Sequence, residues 1–375
     1  MSPPRIALIR QRYTAFGGAE RFVAGAMAAL EKQGASISII TRRWPPADQR
    51  RAIICNPFYL GGLWRDCSFA HCVHSILQKE KFDLVQSHER IVACDIYRAG
   101  DGVHREWLRQ RRRILGLSGR LGIALNPHHH YLLAAEKRLF ASPQLRVVIC
   151  NSQMVKAEIQ EWFGLPEDKL VVIHSGVDTK IFHPNLRRLH RVALRQRLGI
   201  SLDVPVFVFV GSGFERKGLA SLLYALARLT RDAHLLIVGR DKRSAAFQAL
   251  AARLQLLHRI HFLGGQEDVK PCYGAADVFV LPTLYDPFPN AALEAFACGL
   301  PVITSTKSGA AELVRPGHNG FVCDALDDTT LALLMTKSLD FSTAESSAAR
   351  ATVAHLTQER MAKELISLYH HLLRS

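Results

Sequence analysis

The sequence predicts an α/β protein built from two open parallel sheets, each layered with helices, and three observations predict it. Its 375 residues are 48% apolar and 22% charged, enough to form the cores of two ordinary domains and incompatible with a disordered polymer. Short apolar runs ending in glycine or polar residues alternate with longer stretches of helical period, as parallel strands joined by crossover helices do. The periodicity lapses in Ser175-Gly176-Val177-Asp178-Thr179-Lys180-Ile181-Phe182-His183-Pro184, where glycine and proline bracket a candidate domain boundary.

In the first half the expected strands are Arg5 to Ile9, Ser36 to Thr41, Leu84 to Ser87, Val147 to Asn151 and Leu170 to Ile173. In the second half they are Val206 to Val210, His234 to Val238, Ile260 to Leu263, Val278 to Leu281 and Val302 to Thr304. An Arg-rich helix follows the boundary from Arg187 to Leu198. A last helix, Gln358 to Leu373, sets Met361, Leu365, Leu368 and Leu372 at helical spacing.

The longest apolar runs, such as Val206 to Val210, are far shorter than the ~20 residues of a membrane-spanning helix. Met1-Ser2-Pro3-Pro4-Arg5 leads straight into the first strand without an apolar signal segment, which makes the cytosol the expected compartment. The eight cysteines (55, 67, 72, 94, 150, 272, 298 and 323) form no Cys-x-x-Cys pair, and several sit in apolar runs; all are expected to be reduced. His128-His129-His130 suggests a surface or acceptor-side loop rather than a metal site, because adjacent side chains diverge on regular structure.

Lys and Arg number 48 against 33 Asp and Glu, a formal charge of +15. Such an excess points to nucleic acid, a lipid surface or a phosphorylated small molecule. Residues 1–184 carry 26 of the cations and 16 of the acids, so most of the excess lies in the first half. It is concentrated in His104 to Arg120, where Arg105, Arg109, Arg111, Arg112, Arg113 and Arg120 face only Glu106. Trp107, Leu108, Ile114, Leu115 and Leu117 are interleaved with them. The segment suits either an anionic membrane face, with rings and aliphatics dipped into the interface, or a solvated basic helix.

The densest chemical signal runs from Asp277 to Ala295. A buried strand ends at Leu281, a Pro-rich loop follows, and a helix begins near Asn290, a good N-cap residue, to end at Gly299 with Pro301 beyond. Asp286 falls in the loop at the carboxyl edge of the sheet and Glu294 about one turn into the helix. The helix start offers free N–H groups for a pyrophosphate, Glu294 suits the two hydroxyls of a ribose, and Asp286 suits sugar hydroxyls.

Gly211-Ser212-Gly213-Phe214-Glu215-Arg216-Lys217-Gly218 follows the strand Val206 to Val210. Arg216 occupies the third glycine position of a dinucleotide fingerprint, which counts against a nicotinamide dehydrogenase. Two cations beside a glycine turn suit a departing diphosphate. No Asp-x-Asp occurs in the chain, so Arg216 and Lys217 are expected to act in place of a metal. In the first half, Gly17 and Gly18 allow close backbone approach at a helix start. Asp101, between Gly100 and Gly102, is placed either to orient an acceptor hydroxyl or to steady positive charge on a sugar; a turn aspartate bonding its own backbone is the plain alternative.

Phe16-Gly17-Gly18-Ala19-Glu20, Ser175-Gly176-Val177-Asp178, Arg216-Lys217-Gly218 and Asp286 to Glu294 with Ala295 to Pro301 together resemble the family-four retaining glycosyltransferases of the GT-B fold. The likeness is to those of the lipopolysaccharide core glucosyltransferase type. Asp286 stands where that family usually carries glutamate in its acid-x7-acid motif. The resemblance implies two Rossmann-like domains facing each other across a cleft: an acceptor-side domain of residues 1–178 and a nucleotide-sugar domain of residues 184–357, with helix 358–375 packing back on the first. It implies that Arg216 and Lys217 hold the donor diphosphate, that Phe288, Pro289 and Asn290 line its loop, and that Gly17 and Gly18 approach it from the facing domain. Lys217, Asp286 and Asp101 are the expected catalytic residues, Asp101 matching the acid placed beside the acceptor.

The implied activity is transfer of a hexose, with UDP-glucose the leading donor, to a lipopolysaccharide core or other lipid-linked saccharide. It requires a nucleotide-sugar co-substrate and no other cofactor. The implied place is the cytoplasmic face of the inner membrane, touched through Arg109, Arg111, Arg112 and Arg113. Two other readings stay open. One is a nucleotide-sugar epimerase on the same fold; the other, on charge alone, is a basic nucleic-acid-binding protein, although neither an aromatic stacking face nor a reading helix is evident.

Overall fold

The computed structural model describes residues 3–11, 35–44 and 52–374. The chain divides into two compact units, residues 1–176 with 358–375, and residues 177–357. The first unit holds strands β1 (Arg5–Ile9), β2 (Ser36–Thr41), β3 (Ala52–Ile54), β4 (Leu84–Ser87), β5 (Ile96–Arg98), β6 (Val147–Cys150) and β7 (Leu170–Val172). They form one parallel sheet in the order β3-β2-β1-β4-β5-β6-β7. Alternate residues of β1 serve opposite faces: Ile6 and Leu8 join one core with Ile37 and Ile39, and Ala7 and Ile9 join another with Ile40 and Phe69. Both faces are covered, so the strands read as continuous apolar runs.

Helices α1 (Gly61–Lys79), α2 (His104–Arg112), α3 (Leu117–Leu125), α4 (Pro127–Phe140) and α5 (Gln153–Phe163) belong to this unit. The second unit contains α6 (Asn185–Arg197), α7 (Leu219–Arg228), α8 (Ser244–Arg253), α9 (Lys270–Ala275), α10 (Asn290–Ala297), α11 (Asp328–Ser338) and α12 (Thr343–Thr352). The last helix, α13 (Gln358–Arg374), returns to the first unit, burying Met361, Leu365, Tyr369 and Leu372 against the face that holds Ile6 and Leu8. Tyr369 donates its hydroxyl to the buried Gln86 amide oxygen at the centre of that face. No described helix is long and apolar enough to cross a membrane.

The second sheet contains β8 (Val206–Val210), β9 (His234–Val238), β10 (Ile260–Gly264), β11 (Val278–Leu281), β12 (Val302–Ser305) and β13 (Gly320–Cys323) in the order β10-β9-β8-β11-β12-β13, again all parallel. The strand order reverses between β8 and β11, so the crevice beyond their carboxyl ends is a topological switch point, where open α/β sheets take ligands. At the amino end of β11, Asp277 receives Arg187, Arg191 and Arg195 at 3.0, 2.8 and 2.7 Å. These three lie four residues apart on α6, so the Arg-rich helix uses its charge to fasten the sheet.

Several details depart from the sequence reading. Strands β3, β5 and β13 were not expected; two of them are three residues long and show no period. Cys55 and Cys72 are joined by a disulfide, so these two are not the reduced thiols expected. Five other cysteines are buried, and burial pushes Cys150, Cys298 and Cys323 up to about 12 and Cys272 to about 11, which leaves them inert. The histidine triplet lies on the first turn of α4 and not in a loop: Asn126 caps the helix by accepting from His128 N at 2.9 Å.

Two left-handed glycines separate close approach from ordinary turn geometry. Gly218, at the start of α7, has φ of 75°, and a Cβ there would stand 1.8 Å from the Pro282 carbonyl oxygen. Gly164 ends α5 with φ of 64° and open space around it. Gly164→Ala is expected to cost about 1–2 kcal/mol, the left-handed penalty alone. Gly218→Ala must also displace backbone, and thermal unfolding should show a clearly larger loss.

Candidate functional site

The site grows from the carboxyl ends of β8 and β11. After Val210 the chain turns through 211–218, where the Lys217 stem crosses Gly211; a Cβ at Gly211 would lie 3.3 Å from it. After Leu281 the loop 282–289 runs alongside. Arg216 O accepts from Leu284 N at 2.8 Å and from Thr283 Oγ1 at 3.0 Å, while Arg216 Nη1 donates to Tyr285 O at 3.1 Å. A third loop, after β12, closes the set: Asp286 N donates to Lys307 O at 2.9 Å, and Gly309 N to Asp286 O at 2.8 Å. Backbone hydrogen bonds therefore fix Asp286 from both sides.

This stitching brings Lys217 Nζ directly onto Asp286 Oδ2, with Arg216 Nη1 at 3.8 Å from the same oxygen. Lys217 and Asp286 are both buried. Burial pulls the Lys217 ammonium below its ordinary value, opposed by Asp286. Burial alone would raise Asp286, but Lys217, then Arg216, outweigh it and hold the carboxyl below the usual carboxylate range. Asp286 is thus an anion and Lys217 its buried partner.

Helix α10 begins immediately beyond. Asn290 is its first helical residue, and not its N-cap; Pro289 holds that place and supplies no side-chain bond, and Ala292 N donates to Pro289 O at 3.1 Å, which leaves the Asn290 and Ala291 N–H groups at the helix start. The Phe288 side chain packs into the core of the unit, while its backbone hydrogen-bonds the Asp286 carboxylate. Glu294, one turn in, is buried and accepts from the Tyr273 hydroxyl at 2.9 Å. The helix closes at Gly299, φ 78°, with Leu300 N donating to Ala295 O at 2.9 Å.

Two residues at this site carried no signal in the sequence. Tyr273, on α9, orients Glu294; burial first, then the neighbouring carboxylate, holds its phenol well above the ordinary value, so it stays a donor. Ser308 is backbone-bridged to Asp286, and its buried hydroxyl bonds to no described residue. A search for lone serines or tyrosines could not have singled out either.

The remaining expected residues lie elsewhere. Gly17 and Gly18 fall outside the described residues. Asp101 is exposed in the turn after β5, in the first unit, with Gly102 at φ 68°. Arg109 and Arg112 lie exposed on α2 and Arg113 just after it, while Arg111 is half-buried. Among the described residues no three His, Cys, Asp or Glu side chains converge as a metal site would require.

Two family models cover most of the chain: Glycosyltransferase Family 4 matches residues 16–181 and Glycosyl transferases group 1 matches residues 191–352. The chain belongs to the family-four glycosyltransferases of the GT-B fold. The lipopolysaccharide glucosyltransferase WaaG of Escherichia coli strain K12 is 25% identical over 329 residues, 84% of each chain. An uncharacterized glycosyltransferase of Methanocaldococcus jannaschii is 33% identical over 177 residues, 46% of this chain and 45% of the relative's length. The crystal structure of WaaG, a glycosyltransferase involved in lipopolysaccharide biosynthesis, superposes with TM-score 0.82 at 22% identity, covering 97% of this chain and 99% of that one. Anabaena HepE in complex with UDP-glucose superposes with TM-score 0.73 at 19% identity, covering 98% and 99%.

In this glycosyltransferase, Asp286→Asn strands Lys217 in a buried place without its counter-charge and should destabilise the fold by about 3–5 kcal/mol in denaturant titration at neutral pH. Because the folded carboxyl titrates below its unfolded value, its contribution is complete above the unfolded pKa of about 4 and is lost as pH falls through the folded one. The gap between wild type and variant should therefore narrow in acid; a gap that widened there would contradict the assignment.

Proposed function

We propose that this enzyme moves a hexose from a nucleoside diphosphate donor, UDP-glucose first among the candidates, to a hydroxyl of a lipopolysaccharide core or other lipid-linked saccharide, retaining configuration at the anomeric carbon. The observation that carries the reading is the Arg216–Lys217–Asp286 cluster beside the uncapped start of α10, at the switch point of the second sheet. HepE, a structural neighbour solved with UDP-glucose, supports the choice of nucleotide.

In this reading the donor diphosphate competes with Asp286 for Lys217 and draws Arg216 with it. The carboxylate released from Lys217 then accepts hydroxyls of the transferred sugar, with Ser308 beside it. Glu294, steadied by Tyr273, accepts the two ribose hydroxyls. As the bond from anomeric carbon to phosphate oxygen lengthens, charge accumulates on the diphosphate, where Arg216, Lys217 and the α10 N–H groups stabilise it more than in the ground state. The acceptor oxygen forms the new bond on the same face, and its proton passes to the departing diphosphate oxygen. Asp101 is assigned to the acceptor, orienting its hydroxyl.

Lys217→Ala and Glu294→Ala should each abolish transfer in a UDP-release assay; full turnover in either would overturn the donor-site assignment. Tyr273→Phe loosens Glu294 without removing it. It should raise the donor KM several-fold while kcat changes little, about 1 kcal/mol for one lost hydrogen bond.

The same reading places the enzyme at the cytoplasmic face of the inner membrane through its basic segment. Arg109, Arg112 and Arg113 are exposed, and α3 turns Leu117, Leu121 and Leu125 to solvent along one side at four-residue spacing. Of the apolar residues expected at the interface, only Leu117 is exposed; Leu108 is buried, and Trp107, Ile114 and Leu115 are half-buried. Replacing Arg111, Arg112 and Arg113 by Gln should weaken sedimentation with phosphatidylglycerol vesicles by tenfold or more at low salt, roughly 0.5–1 kcal/mol per charge, and leave the thermal shift by UDP unchanged. Undiminished vesicle binding would remove the membrane claim.

A further inference from the structure

We propose that the turn between β3 and α1, with the first turn of α1, is a second membrane-docking element, seating Phe58, Leu60 and Trp64 in the interfacial layer of an anionic bilayer; the proposal rests on the membrane reading of the basic segment. These side chains are 71%, 69% and 48% exposed, within seven residues of one another. Phe58 and Trp64 meet edge to face at 5.5 Å, so they form one patch rather than isolated surface hydrophobes.

The turn is built to present them. Arg42, buried at the end of β2, donates to Pro57 O at 2.9 Å, Asn56 Oδ1 at 3.3 Å, Ser68 Oγ at 2.8 Å and Arg65 O. Its guanidinium lies 4.7 Å from the centre of the Tyr59 ring and 5.4 Å from that of Phe69. Tyr59 is thereby held against the protein while its neighbours Phe58 and Leu60 face solvent. A buried cation with two anchors in the turn, Asn56 and Pro57, and two on α1, Arg65 and Ser68, ties the turn to the helix and holds that exposure in place.

Its position suits the basic segment. The start of α1 lies against the start of α4: His128 Nε2 meets Asp66 Oδ2 at 2.8 Å, and a Cβ at Gly62 would stand 2.9 Å from the His128 ring. Helix α3, with its row Leu117, Leu121 and Leu125, ends one residue before the Asn126 cap of α4. The aromatic turn and the leucine row therefore approach the same helix end. Arg43, next in sequence to the buried Arg42, is exposed. Tryptophan, phenylalanine and leucine beside arginine is the composition that partitions into an anionic bilayer surface, whereas a protein partner gives no reason for the clustered arginines of α2.

The test uses the full chain with vesicles of phosphatidylglycerol and phosphatidylethanolamine, and with phosphatidylcholine as control. Arg attraction fades with salt and apolar insertion does not, so Phe58→Ser/Leu60→Ser/Trp64→Ser should lose the salt-resistant part of binding, about tenfold or more. Trp64 emission should shift to the blue on anionic vesicles and be quenched by brominated acyl chains, and Trp64→Phe should lose that component. The UDP thermal shift reports that each variant is folded. Binding undiminished in the triple-serine variant, or lost self-association with binding intact, overturns the proposal. If the Arg111, Arg112 and Arg113 variant loses binding while the serine variant keeps it, only this inference falls; if the wild type ignores anionic vesicles, both fall.

Discussion

The second unit depends on one buried ion pair. Lys217 and Asp286 come from loops 69 residues apart in sequence, and neither is tolerable in its place without the other. Everything around them serves the approach. Parallel strands β8 and β11 adjoin at the reversal of strand order, Gly218 lets backbone pass against Pro282, and the 305–309 segment ties Asp286 from the far side. Such a pair contributes little net stability, because desolvation offsets attraction. Its value is positional: it keeps a cation and an anion together beside the start of α10.

The charge of +15 divides into parts with different work. Arg187, Arg191 and Arg195 converge on Asp277 and hold α6 to the base of β11. Arg42 anchors a turn. Arg216 and Lys217 line the site. Others stay in solvent, among them Arg109, Arg112 and Arg113 on and after α2, Arg43 before the aromatic turn and Arg188 and Arg197 on and at the end of α6. Net charge was therefore a poor guide to partners, since it counts cations wherever they lie and several of them are held by the protein's own carboxylates and carbonyl oxygens; the useful quantity is the cation left in solvent beside apolar surface.

The sheets were legible because buried parallel strands are continuous apolar runs, and ten of them showed as such. Strands β3, β5 and β13, of three, three and four residues, were not. The acid pair Asp286 and Glu294 was legible from spacing within one loop and helix. Their partners were not: Tyr273 reaches Glu294 from 21 residues upstream, and Ser308 reaches Asp286 through a strand crossover, contacts that only the folded sheet creates. The basic segment, read as either a membrane-face segment or a solvated basic helix, folds as α2 and the start of α3; of its interleaved apolar residues Leu108 is buried, Trp107, Ile114 and Leu115 are half-buried and Leu117 is exposed. Leu108 is buried with His104, four residues earlier on the same side of α2, a choice set by tertiary packing.

The first unit shows how that segment is tied to the Asp101 turn. Glu136, buried on α4, accepts from His104 N at 2.6 Å and Arg105 N at 3.4 Å, the opening N–H groups of α2. It also receives Arg90 Nε at 2.9 Å, and Arg90 Nη2 donates to Gly102 O at 3.2 Å. One carboxylate thus caps the basic helix, and its arginine partner clamps the turn before it. The Asp101 turn ends where α2 begins, and both are fastened to the same helix, α4. The acid assigned to the acceptor and the cations assigned to the bilayer are therefore tied to one helix.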